Sequence, residues 1–151
     1  MIAGVRLRAL VRHADDRGSF TELLRSDWPE FAGFAQASLT MNYPGVIRGW
    51  HWHRRQTDCL AVLAGMAKVP LFDARKESPT AGEISEFFLG DSNLALLVIP
   101  PGVYHGYKTI GVEPAMILNL PDRIYDAAQP DEERVPFDSP DVPYSWGLRP
   151  R

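Results

Sequence analysis

Two tryptophans and two histidines in strict alternation, Trp50-His51-Trp52-His53, set the terms on which this chain can fold. Successive side chains of a strand point to opposite faces, so His51 and His53 share one face of a strand while the indoles share the other. That suits a strand packed on one side and lining a cavity on the other. The tetrad lies in residues 45–65, GVIRGWHWHRRQTDCLAVLAG, where Arg48, Arg54, Arg55 and one acid, Asp58, sit between two apolar runs.

The rest of the chain reads as further short strands. Residues 5–11 alternate apolar side chains with Arg6 and Arg8. From Phe34 the pattern sets Gln36, Ser38, Thr40 and Asn42 on one face against Ala37, Leu39 and Met41 on the other. Such a polar face is either solvent-exposed or lines a pocket. Residues 66–72, 84–89, 95–99 and 115–120 complete the apolar runs, punctuated by turns at 15–18, 90–93 and 100–102. Residues 19–24 read equally as a strand or a short helix. About eight short strands, with no helix longer than two turns, predict an all-β antiparallel barrel or jelly roll. At 151 residues this is about one domain, spanning 1–151 without repeat or boundary. Trp28, Tyr144 and Trp146 read as packing anchors.

A net charge of -3 provides no global field for nucleic acid, so any anion must be held by local arginines. No run of about 18 apolar residues spans a membrane. Cys59 is the only cysteine, which excludes an intrachain disulfide and points to a cytoplasmic setting; within its apolar run it reads as a buried structural thiol.

Alone, a His-x-His pair is an ordinary strand feature. Here five residues separate Gly45 from His51, four separate His53 from Asp58, and six separate Asp58 from Gly65. This resembles the first motif of the cupin superfamily, whose usual acid is Glu. Pro100-Pro101-Gly102-Val103-Tyr104-His105 resembles the second, with Thr109 where an Asn is expected. Four segments sharpen the likeness: Asp16-Arg17-Gly18-Ser19-Phe20-Thr21-Glu22, Gln36-x-Ser38-x-Thr40 running into Arg48-Gly49-Trp50-His51, Pro101 to Tyr107, and Phe137-Asp138-Ser139-Pro140 leading to Trp146. Together they resemble the dTDP-4-dehydrorhamnose 3,5-epimerase family of nucleotide-sugar epimerases.

That resemblance implies a cupin-type jelly roll that binds a nucleoside-diphospho-4-keto-6-deoxysugar, works as a homodimer and needs no cofactor. It makes His51 the base, Tyr125 the general acid, and His105 part of the sugar site. Arg48 with Gln36 holds diphosphate, Ser38 and His53 contact substrate, and Arg17, Phe20 and Glu22 meet the nucleotide across a dimer contact. It requires Arg17, Arg48 and Gln36 to converge on one anion site. The residue types suit the chemistry: imidazole is a base near neutrality, an enolate needs a donor at its oxygen, and guanidinium grips diphosphate.

Four departures stand against it. Asp58 occupies the position of a lysine that stabilises the enolate, and His53 that of a glutamine. The Asp that orients the base lies in a C-terminal stretch with no counterpart in the five residues after Trp146. Tyr125 to Pro130 is about two residues longer than the family's Tyr-x-Pro. The first two changes together suggest His51, His53, Asp58 and His105 as ligands of a divalent transition metal. The alternatives are a metal-dependent cupin acting on another small molecule, a 3,4-ketoisomerase of the same sugar-nucleotide class, and a catalytically silent binding relative.

Overall fold

The computed structural model describes residues 1–148. Among these residues twelve strands form, more than the sequence pattern separates, because three of them are only three residues long. In chain order they are β1 (Arg6–Ala9), β2 (His13–Asp15), β3 (Gly18–Phe20), β4 (Ser38–Asn42), β5 (Ile47–His53) and β6 (Asp58–Ala64). β7 (Met66–Asp73), β8 (Ile84–Gly90), β9 (Ala95–Ile99), β10 (Val103–Ile110), β11 (Ala115–Asn119) and β12 (Glu132–Arg134) follow. One five-stranded sheet runs β1-β9-β6-β11-β4 and the other β12-β5-β10-β7-β8, every pairing antiparallel; β2 and β3 form a separate hairpin. Among the described residues no helix is long and apolar enough to cross a membrane.

The two sheets close face to face as a jelly roll. Between them lie Leu60, Val62, Val69, Leu71, Leu97, Ile99, Val103 and Ile117, each at most a few per cent exposed. The outer face of the first sheet is also covered: Cys59, Ala61, Leu96 and Val98 pack under Leu23, Leu24 and Trp28 from the segment between β3 and β4. Burial on both faces explains why β6 and β9 read as continuous apolar runs instead of alternating ones. The outer face of the second sheet is roofed by the C-terminal tail, where Trp50 packs on Tyr144 and Trp146.

Two sequence expectations change here. Of residues 19–24 only the first two are strand, inside Gly18–Phe20, and the rest is loop. The polar strand begins at Ser38, not Phe34, leaving Gln36 in the preceding loop. Its face turns inward at its far end, where buried Asn42 donates to Thr109 Oγ1 and to Val46 O. The tryptophan and histidine faces divide as the alternation predicts: Trp50 is fully buried under the tail, while His51 and His53 both lie against His105 inside the barrel.

Candidate active site

β5 and β10 build the site. They pair with His51 opposite His105, and the register shifts between His105 and Tyr107. Gly106 sits at that shift because the two backbones approach too closely for a side chain. A Cβ there would lie 2.7 Å from Arg48 O, 2.9 Å from Gly49 Cα and 3.1 Å from the Trp146 ring. The Arg-Gly-x-His and His-Gly-aromatic motifs are therefore one packing unit, capped by Trp146. The turn before β10 bends at Gly102, whose φ of +81° lies in the left-handed region, and its N–H donates to His53 O.

His51 Nδ1 lies 2.5 Å from Glu132 Oε1 on the neighbouring strand β12. Register places Glu132 beside His53 and Arg134 beside His51, so the contact is diagonal across the ladder. A carboxylate only accepts, so it fixes the neutral imidazole with its proton on Nδ1 and leaves Nε2 free as a base. Burial alone would raise the Glu132 carboxyl, but hydrogen bonds from His51 and Arg134 outweigh it and bring it down to about 2. Glu132 thus stands where a carboxylate orients the His51 ring.

Behind this dyad sits a second cluster. Asp58 Oδ2 is 3.3 Å from both His53 Nε2 and His105 Nε2, while its Oδ1 accepts from Asn119 at 2.7 Å and Gln56 at 2.9 Å. His105 donates from Nδ1 to Val103 O, and burial pushes its imidazole down to about 4 despite the Asp58 carboxylate beside it. The four residues grouped as metal ligands in the sequence do not all meet. His53, Asp58 and His105 bring their donor atoms within 4.8 Å of one another, whereas His51 is turned to Glu132.

A cavity of about 890 Å³ opens over the cluster, lined by Gln36, Ser38, His53, Arg123, Tyr125 and Glu132 among others. Gln36 Oε1 accepts from the Tyr125 backbone N–H, which ties the loop bearing Tyr125 to the cavity wall. A second cavity, about 400 Å³, is lined by Thr40, Arg48, His51 and Tyr107, and Arg134 borders both. Arg48 is largely exposed and donates to Asn42 Oδ1. Arg17, Arg48 and Gln36 do not converge within one chain. Arg17 lies on the β2–β3 hairpin with its side chain 85% exposed and paired to Asp15; Phe20 projects from the same hairpin. Glu22 pairs with Arg25 beside Trp28, in a small separate cleft.

Glu132, Arg134, Gln56 and Asn119 join the site without a local signal. The nearest to one is the alternation of Glu132 and Arg134, which places an opposite-charge pair on one strand face. Cys59 is buried, and burial, with Asp58 adding to it, raises its thiol to about 11, so it is a structural residue.

The sequence model of the family described as dTDP-4-dehydrorhamnose 3,5-epimerase matches residues 1–151. The chain is 42% identical over 146 residues to the spore coat polysaccharide biosynthesis protein SpsL of Bacillus subtilis, covering 97% of each. It is also 42% identical over 147 residues to the probable low-salt glycan biosynthesis epimerase Agl13 of Haloferax volcanii, covering 96% of this chain and 94% of that one. Among solved structures it superposes on a dTDP sugar isomerase from Desulfovibrio desulfuricans with a TM-score of 0.91 and 33% identity, over 96% of this chain and 92% of that one.

Proposed function

The chain belongs to the dTDP-4-dehydrorhamnose 3,5-epimerase family of sugar-nucleotide isomerases, and from that premise we propose that it epimerises a nucleoside-diphospho-4-keto-6-deoxysugar at carbon 3, carbon 5 or both. The observation that carries the reading is the His51–Glu132 pair, with His51 on the smaller cavity and Glu132 on the larger. His51 Nε2 takes the proton next to the ketone, and the Glu132 carboxylate stabilises the imidazolium that forms. Tyr125, exposed on its loop at the larger cavity, returns a proton from the opposite face. Arg48 and Arg134, on either side of His51, supply guanidinium for the diphosphate.

An exposed sheet edge supports a homodimer within the same reading. Strand β4 is a sheet edge, and Leu39, Met41 and the following Tyr43 are half or more exposed. An unpaired edge with apolar side chains favours pairing with a second copy. In such a dimer the projecting hairpin, with Arg17 and Phe20, would reach a neighbour's nucleotide, consistent with these residues lying apart from Arg48 in one chain.

The test is NMR in heavy water with a dTDP-4-keto-6-deoxysugar, wild type beside His51→Asn. Deuterium entering at carbon 3 or 5, and lost in the variant, supports the proposal. A product with its ketone moved to carbon 3 identifies a 3,4-ketoisomerase instead. Nucleotide affinity without exchange identifies a silent binding relative and refutes the proposal.

A further inference from the structure

We propose that Trp146, which roofs the outer face of the second sheet, is a positioning residue for the proton transfer at His51, acting through the edge strand that carries Glu132. The inference rests on the epimerase reading above. β12 is three residues long, lies at the edge of its sheet, and among the described residues has β5 as its one strand neighbour. So few ladder contacts fix it weakly. Asp131 anchors its start, where Oδ2 accepts from the Arg55 and Gln56 N–H groups at 3.0 and 2.9 Å. The C-terminal tail holds its far end. Val135 exchanges backbone hydrogen bonds with Trp50, at 2.9 and 3.1 Å. Two residues on, Phe137 O accepts from both indoles, Trp50 Nε1 at 3.2 Å and Trp146 Nε1 at 2.9 Å.

Trp146 also reaches the other half of the pair. Its ring lies on Gly49 and Gly106, two residues before His51 and one after His105; a Cβ would stand 3.3 Å from it at the first and 3.1 Å at the second. The indole is buried and packs on Trp50 with 4.8 Å between ring centroids. Two lysines of the sheet below fix its backbone: Lys108 Nζ donates to Trp146 O at 3.1 Å and Lys68 Nζ to Gly147 O at 2.8 Å. One side chain therefore touches the β5–β10 joint that bears His51 and His105, and also the carbonyl that ties down the chain leaving β12. Removing it frees β12 to shift against β5, and the diagonal His51–Glu132 contact is the first to lengthen. A displacement of about 1 Å at a reacting group costs up to about 100-fold in rate.

The test compares Trp146→Leu and Trp146→Phe with wild type and with Asp73→Ala, whose buried carboxylate holds a different loop. Proton NMR without substrate reads the low-field His51 Nδ1–H signal, assigned by its loss in His51→Asn. Deuterium exchange, scaled to the fraction folded in urea titration, reads kcat and KM. In Trp146→Leu the His51 signal is expected to shift or broaden, with kcat down about 10-fold and KM within about twofold of wild type. Trp146→Phe keeps a ring on the two glycines and loses only the donor to Phe137 O, so its kcat is expected to recover to about threefold below wild type. Asp73→Ala is expected to change neither readout. If Trp146→Leu fails to fold by circular dichroism, Trp146→Phe carries the test with the same two readouts. An unmoved His51 signal, an unchanged kcat in the folded variant, or an equal loss in Asp73→Ala overturns the proposal. Absence of exchange in wild type refutes the epimerase reading instead, and the substrate-free His51 signal still decides whether Trp146 positions the pair.

Discussion

Replacing Glu132 with Gln keeps one acceptor for His51 Nδ1–H and removes only the charge. The carboxyl falls from 4.5 to about 2 in the folded protein, chiefly through hydrogen bonds from His51 and Arg134 against the opposing effect of burial. At about 1.4 kcal/mol for each tenfold change this is about 3 kcal/mol, which His51 and Arg134 share; a hydrogen bond to a charged group is worth on the order of 1.5–2 kcal/mol. The side chain is only 15% exposed, so solvent screens little of it. If the imidazolium forms in the transition state, losing that share slows deuterium exchange by about 10- to 30-fold. Stability gives an independent readout with a definite sign. A depressed carboxyl contributes its full stabilisation above its unfolded value near 4.5 and loses it as the pH falls toward 2. Urea unfolding should therefore show wild type exceeding Glu132→Gln by up to about 3 kcal/mol at pH 7 and by less than half of that at pH 3. Exchange within about twofold of wild type, or a stability gap unchanged between pH 7 and 3, would refute the dyad.

Two substitutions away from the proton-transfer pair separate folding from chemistry. Gly106→Ala forces a methyl group against Arg48 O and Gly49 Cα, so it is expected to cost about 2–3 kcal/mol in urea unfolding and to lower exchange with it, because β5 and β10 must part. Asp73→Ala, by contrast, removes a carboxylate that is fully buried and holds Arg75, Ser78 and Thr80; those donors outweigh burial and keep its carboxyl below the usual range. It is expected to cost about 3–5 kcal/mol while leaving exchange per folded molecule unchanged, as read by calorimetry beside the NMR assay.

What the sequence discloses and what it withholds divide by distance along the chain. The alternation of Trp50 to His53 is local, and period two alone assigns the histidines inward and the indoles outward. The apolar runs of β6 and β9 and the Pro-Pro-Gly turn before His105 are equally local, and the barrel follows from them. Glu132 meets His51 across 81 residues of sequence separation, from a three-residue strand in a segment rich in Pro and Asp, where no hydrophobic period marks a strand at all. Gln36 reads as a strand residue because its neighbours alternate, yet strand pairing with β11 begins only at Ser38. In each case pairing partners, not local propensity, decide the structure.

Asp58 and His53, where the family resemblance expects a lysine and a glutamine, make physical sense only together. Asp58 Oδ1 takes two amide donors, from Asn119 and Gln56, and Oδ2 stands against two imidazoles. A lysine placed alone at position 58 would confront those amides with more donors and no acceptor besides the ring nitrogens, a buried charge without a counter-charge. Conversely, Asp58 with a glutamine at 53 would keep its amide donors and lose one of the two imidazoles that stand against its Oδ2. With both residues in place the interior holds a carboxylate, two imidazoles and their supporting amides, while His51 pairs with Glu132. The His51–Glu132 pair and the Asp58 cluster are thereby held by different strands: Glu132 on β12 anchors the first, and Asp58 on β6 the second.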